Sequence, residues 1–170
     1  MPYNPIMEFR LATIEDIDSI GEIFHQCWQI SYKEILSQEV RDSMDLAASK
    51  ELWAASLQNP DSKETYLGID EGRIVSIFRL GRDVDLISTG HLFSLYVHPV
   101  SVGKGFGSQT LEFVIQRLKT LGFQQISLWV FESNSIARNL YTRKGFQVTG
   151  LKRTDNRWKI PEIQMIKKSS

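Results

Sequence analysis

Three glycines at alternate positions, Gly103, Gly105 and Gly107, fall inside LYVHPVSVGKGFGSQTLEFVIQRL, residues 95–118. Alternating and β-branched residues up to Val97 predict a strand, which Pro99 ends. Phe106, Leu111, Val114, Ile115, Leu118 and Leu121 then recur at three- and four-residue spacing and predict a helix. A glycine turn between strand and helix suits an anion. Glycine lets the backbone approach closely, and the unpaired N–H groups of a helix N-terminus point at negative charge. Two common phosphate loops do not fit. A P-loop needs Ser or Thr straight after a Gly-Lys pair, whereas Gly105 follows Lys104. A dinucleotide fingerprint needs a third glycine where Ser108 or Thr110 stands. On this stretch alone, a glycine-rich turn without a ligand is the competing reading.

A second stretch, WVFESNSIARNLYTRKGF (129–146), adds an amide, two arginines and a phenol on a short predicted helix over 134–144. Together the two segments resemble the GNAT superfamily of acetyl-CoA-dependent N-acetyltransferases. That family's central motif reads strand, Arg/Gln-x-x-Gly-x-Gly/Ala, helix, and VGKGFG at 102–107 departs from it only at Val102. The second stretch is similar to Val-x-x-x-Asn-x-x-Ala-x-x-Leu-Tyr-x-x-x-Gly-Phe, with Val130, Asn134, Ala137, Leu140, Tyr141, Gly145 and Phe146 in register.

The resemblance implies acetyl-CoA as co-substrate, its pyrophosphate on the backbone of residues 103 to 108. Expected contacts come from Leu95, Tyr96 and Val97 at the strand end and from Val102, Gly103, Lys104, Gly105, Phe106, Gly107 and Ser108 through the turn. Asn134, Arg138 and Tyr141 follow on the second helix. It also implies backbone N–H donors for the thioester oxygen at a strand bulge near Val97, and Tyr141 as hydrogen-bond donor to the thioester sulfur. A thiol with a reference pKa of about 8.5 is more acidic than a phenol at about 10, so full proton transfer to the thiolate is uphill by roughly 2 kcal/mol. Tyr141 should act mainly by hydrogen-bonding charge as it develops.

An acceptor amine with a reference pKa of about 10.4 is roughly one part in a thousand free base at neutral pH, so a base or a pKa-lowering pocket is needed. Many relatives carry Glu six residues before the position of Val97. Here His91 stands there, read either as the base or as a structurally satisfied histidine. Trp28 and Tyr32 lie where the first helix gives way to the next, a junction that overhangs the acceptor pocket in many relatives. Packing of two aromatics into a helix–helix gap is the alternative reading of that pair. His25 and His98 lack neighbouring metal ligands, so no metal is expected.

These residues must be positioned by a mixed α/β (α+β) GNAT fold. Its expected form is a mostly antiparallel twisted sheet of about seven strands flanked by about four helices, splayed at the strands ending near 97 and 131. Residues 6–12 read as the first strand. Thr13 caps a helix with Ile17, Ile20, Phe24, Cys27 and Trp28 on one face, and 46–58 reads as another helix. Thr65–Ile69 and Arg73–Leu80 form a hairpin about Asp70-Glu71-Gly72, and Gly90–His98 follows. Further strands are expected at Gln125–Phe131, Phe146–Thr149 and Trp158–Lys167.

At 170 residues, 42% hydrophobic and 24% charged, the chain is expected to form one domain over 1–170. Twenty basic residues balance twenty acidic ones, which argues against a nucleic-acid footprint or an anionic membrane partner. No apolar run approaches the ~20 residues of a membrane span, and MPYNPIMEFR does not read as a secretory signal. A single cysteine, Cys27, excludes an internal disulfide and reads as core filler. The expected setting is the cytoplasm, with a small-molecule or peptide amine as acceptor and a homodimer left open. Two alternatives remain, a non-catalytic acyl-CoA sensor and an acetyltransferase acting on protein lysines or N-termini.

Overall fold

The computed structural model describes residues 6–168. Seven strands form one sheet: β1 (Glu8–Leu11), β2 (Glu64–Asp70), β3 (Arg73–Arg82), β4 (Thr89–Val97), β5 (Gln125–Phe131), β6 (Gln147–Thr154) and β7 (Pro161–Lys168). Their spatial order is β1-β2-β3-β4-β5-β7-β6. Every neighbouring pair is antiparallel except β4–β5. Five α-helices accompany it: α1 (Ile17–Gln26), α2 (Gln38–Ser43), α3 (Leu46–Gln58), α4 (Phe106–Thr120) and α5 (Ser135–Arg143).

Alternation along the strands builds two cores, because successive side chains point to opposite faces of a sheet. Tyr66, Phe78 and Leu80 pack with Leu111, Val114 and Leu118 of α4 and with Tyr141 of α5. Their chain neighbours Leu67 and Ile77 pack on the other face with Ile20, Phe24, Trp28 and Trp53 from the α1–α3 side. The β2–β3 hairpin turns through Glu71 and Gly72, both at positive φ, the geometry a two-residue hairpin loop requires.

The structure differs from the sequence reading at several ends. Residues 38–43 form a fifth helix, capped by Ser37, whose Oγ accepts from the Val40 N–H at 3.3 Å. Six residues are too few to show a period. The strand expected at 146–149 runs on to Thr154 because β6 is an exposed edge, with no buried face to mark it in sequence. The last strand starts at Pro161 rather than Trp158, which lies in the preceding loop.

Candidate active site

The parallel β4–β5 ladder holds over only four residue pairs, from Thr89↔Gln125 to Leu92↔Leu128. Beyond it, β4 stays with β3 (Phe78↔Leu95, Ile77↔Tyr96) while β5 stays with β7 (Val130↔Ile163, Phe131↔Glu162). Two strands held by different neighbours diverge, and a cleft of about 480 Å³ opens along the wedge. His98 N–H donates to Val75 O at 2.8 Å, so strand alternation turns the N–H groups of Leu95 and Val97 away from β3, toward the gap. The register shift in β4 lies where Arg79↔Ser94 gives way to Leu80↔Leu92, which leaves Phe93 as the extra residue. The bulge is thus four residues earlier than the position near Val97 expected for it.

The glycine turn follows β4 through a short 3-10 segment, Pro99–Ser101. Gly103 and Gly105 have φ of 83° and 86°, the left-handed region, and a Cβ built on either would meet no protein atom within 4 Å. The backbone there is bare and approachable. α4 begins at Phe106, and the Gln109 N–H is bonded to Gly105 O at 3.1 Å. The N–H groups of Phe106, Gly107 and Ser108 therefore have no intrahelical acceptor and point out of the helix start. A Cβ on Gly107 would stand 3.4 Å from Leu140 and 3.6 Å from Val97, so this helix end abuts both the mouth of the wedge and α5. The turn fits a pyrophosphate. Val102 is half exposed and adds no donor.

Tyr141 lines the wedge, its ring packed on Phe146. Its hydroxyl bonds no protein group among the described residues. Burial pushes the phenol up to about 12, so it remains a donor across the neutral range. Asn134 also lines the wedge, but its Oδ1 caps α5 by accepting from the Ala137 N–H at 3.2 Å, leaving the amide NH₂ to serve a ligand. Arg138 donates to Glu132 O at 2.8 Å, bracing the β5–α5 corner.

His91 lies on the same cleft wall, 8% exposed, its ring edge-on to Phe93. Its Nδ1 is 3.1 Å from Asp83 Oδ2 and 2.6 Å from Ser127 Oγ. Burial pushes the imidazole below its ordinary 6.5, against the pull of Asp83. Burial alone would raise Asp83, but the Ser127 hydroxyl and the N–H groups of Asp85 and Leu86 outweigh it and hold the carboxyl below the usual range.

The aromatic pair divides. Tyr32 lines the cleft against Phe131, with ring centroids 5.5 Å apart. Trp28 is 2% exposed and sits beneath that wall among Phe24, Tyr32 and Trp158, so it supports the pocket without facing it. The helix connecting them is a five-residue π-turn, Cys27–Ser31. Cys27, buried beside it, donates from Sγ to Val97 O at 3.2 Å, and burial raises its thiol to about 12.

One cleft therefore gathers His91, Leu95, Tyr96, Asn134, Tyr141 and Tyr32. Gly103, Lys104 and Phe106 border a second cleft with Arg73 and His98. Sequence reasoning missed Asp83, Ser127, Arg153, Glu162 and Trp158, all at or behind the wedge. Arg153 pairs with buried Glu162 at 3.2 Å and covers the Trp129 ring at 4.4 Å. None carries a local motif. Only Asp83, eight positions before His91 in a polar connection, offered a hint. Among the described residues no group of three or more His, Cys, Asp or Glu could hold a metal ion, and no helix is long and apolar enough to cross a membrane.

A sheet split between its fourth and fifth strands, a glycine turn opening a helix beside the split, and a phenol in its wall make a mixed α/β fold with a cleft suited to an anionic, extended ligand. The Acetyltransferase (GNAT) family profile matches residues 17–146, and the chain belongs to that family. It is an acetyl-CoA-dependent N-acetyltransferase. The spermidine N(1)-acetyltransferase of Thermoplasma acidophilum is 24% identical over 155 residues, 84% of this chain and 89% of that protein. An N-acetyltransferase of Bacillus subtilis, YycN, is 43% identical over 47 residues, 28% of this chain and 30% of its own length. The crystal structure of PaiA N-acetyltransferase from Thermoplasma acidophilum in complex with coenzyme A superposes with a TM-score of 0.79 at 23% identity, covering 96% and 99% of the two chains. Ribosomal-protein-alanine N-acetyltransferase from Brucella melitensis does so with 0.70 at 21%, over 95% and 99%. These likenesses carry the fold.

Proposed function

We propose that the chain acetylates a primary amine by direct attack within a ternary complex, with His91 as base and Tyr141 as donor to the leaving sulfur. The observation that carries this is their placement in the wall of one cleft, on strands and a helix held by different parts of the sheet. The backbone N–H groups of 103–108 hold the pyrophosphate. The exposed N–H groups of Leu95 and Val97 face the pantetheine arm and the thioester oxygen, where they stabilise negative charge. Asn134 contributes its free amide NH₂, and Lys104 adds positive charge at the turn.

His91 takes one proton from the acceptor ammonium, freeing the nitrogen lone pair that forms the new C–N bond. Tyr141 hydrogen-bonds the sulfur as the C–S bond breaks and the electron pair settles on it. The second proton, shed by the nitrogen as the amide forms, passes through solvent to the departing sulfur and gives the neutral thiol, so the reaction releases one proton in all. Tyr32 and Phe131 border the space left for the acceptor.

The acceptor's class beyond "amine" is open to a direct test. Spermidine is a candidate through the Thermoplasma relative. On the cleft that His91 lines, Lys63 covers the Phe93 ring at 4.4 Å, and Arg79 bonds, among the described residues, the carbonyls of Ser56 and Pro60. Those cations favour an acceptor that also carries a carboxylate. Thiol release from acetyl-CoA should therefore be measured with spermidine, free amino acids and short peptides. Release with a small amine supports the reading. Tight acetyl-CoA binding without release for any amine would make the chain a sensor.

A further inference from the structure

The carboxylate beside His91 has both oxygens committed in ways that decide where the imidazole carries its proton. We propose that Asp83, propped by Ser127, is a positioning residue for acetyl transfer: it holds His91 in the Nδ1–H tautomer and so presents the Nε2 lone pair to the acceptor amine. This rests on reading His91 as the base.

Asp83 stands one residue beyond β3, where its N–H donates to Thr89 O at 2.8 Å and closes the loop that leads into β4. Its Oδ1 accepts from the N–H groups of Asp85 at 2.8 Å and Leu86 at 2.9 Å. Its Oδ2 accepts the Ser127 hydroxyl and lies 3.1 Å from His91 Nδ1. A carboxylate only accepts, so the proton in the His91–Asp83 contact belongs to Nδ1. The single Ser127 proton goes to the carboxylate in preference to Gly90 O at 3.3 Å, so Ser127 Oγ also meets Nδ1 as an acceptor. Both contacts demand the same tautomer. A neutral imidazole has one N–H, which leaves Nε2 with its lone pair, and no described residue bonds it.

The charged groups about the ring are Asp83 from the loop, Lys63 ahead of β2 and Arg153 on β6, with Ser127 beneath on β5. Asp83 favours the imidazolium that forms when Nε2 takes the ammonium proton. Lys63 and Arg153 oppose it, so the proton passes on to water. Because Oδ1 ties down the 83–88 loop, whose Val84 and Asp85 also border the cleft, the same side chain couples the acceptor-side loop to the base.

Asp83→Asn tests this with little change of shape. The two loop N–H groups keep the amide oxygen on their side, which turns the NH₂ toward Nδ1 and forces the proton to Nε2. The full chain, ¹⁵N-labelled on histidine, should be read by long-range ¹H–¹⁵N correlation. Only three histidines are present, and His91→Ala assigns the signal. The expected result is Nδ1–H in wild type and in Ser127→Ala, and Nε2–H in Asp83→Asn. With the best amine of the panel, kcat/KM of Asp83→Asn should fall about 10²-fold near neutral pH while KM for acetyl-CoA is unchanged. Nε2–H in the wild type overturns the proposal even if Asp83→Asn fails to fold. So does an Asp83→Asn protein that keeps the wild-type tautomer, whether or not it loses rate. Full activity in His91→Ala overturns the base reading instead.

Discussion

Leu92 and Leu128 form the last rung of the parallel ladder before β4 and β5 part. Both are buried in the core shared with α4, so the ladder is well anchored up to that rung. Past it, each strand obeys its antiparallel neighbour, and the sheet's own hydrogen bonds leave a gap toward which the N–H groups of Leu95 and Val97 point. The following expectations depend on that geometry.

Gly105→Val should abolish acetyl-CoA binding, measured by calorimetry. At φ 86° the β-branched side chain is strained, and it occupies the space beside the turn that is empty of protein. Val102→Arg should tighten binding by about 1 kcal/mol, one charge-assisted hydrogen bond, because that side chain is already half exposed. Wild-type affinity in Gly105→Val would remove the pyrophosphate from this turn.

Tyr141→Phe should lower kcat by roughly 10²-fold while leaving the melting temperature in place. The ring stays packed on Phe146, and the hydroxyl has no protein partner among the described residues to lose. Full turnover in a folded Tyr141→Phe protein would end its assignment as donor to the leaving sulfur.

Tyr32→Ala and Trp28→Ala should part company. Tyr32 borders the cleft, so its loss should raise the acceptor KM and leave acetyl-CoA affinity nearly unchanged. Trp28 is core, and its removal should cost about 3–5 kcal/mol in a denaturant titration. Equal, small stability losses in the two variants would contradict that division.

Acidification should weaken the fold through His91 and Asp83. Both are held below their ordinary values, 6.5 and 3.8, so the unfolded chain takes up protons that the folded one resists. Their contribution is complete above pH 6.5, begins to fall as pH drops through that value, and falls again below 3.8. Urea unfolding at a series of pH values should show His91→Gln losing less stability than wild type between neutral and mildly acid pH. An identical pH dependence in both would mean that His91 is not desolvated by folding.

What could be read from residues alone was whatever is local. Gly103 and Gly105 announce a turn because few other residues tolerate their φ angles, and helical spacing from Phe106 onward needs no partner to be visible. The Asn134–Tyr141 segment is likewise one helix, and its motif lies along eight consecutive positions. Edge strand β6 escaped in part because an exposed strand imposes no alternation. The six residues of α2 escaped because a turn and a half has no period.

Linear order marked most of the elements, the glycine turn and the candidate side chains Tyr141 and His91. Tertiary structure alone decided that Trp28 lies under the cleft wall while Tyr32 lines it, since a four-residue offset across a π-turn does not fix facing. It also brought Asp83 and Ser127, 44 positions apart, onto one ring nitrogen of His91. That meeting depends on β4 pairing with β5 across the whole of α4, a contact between strands that no spacing along the chain encodes.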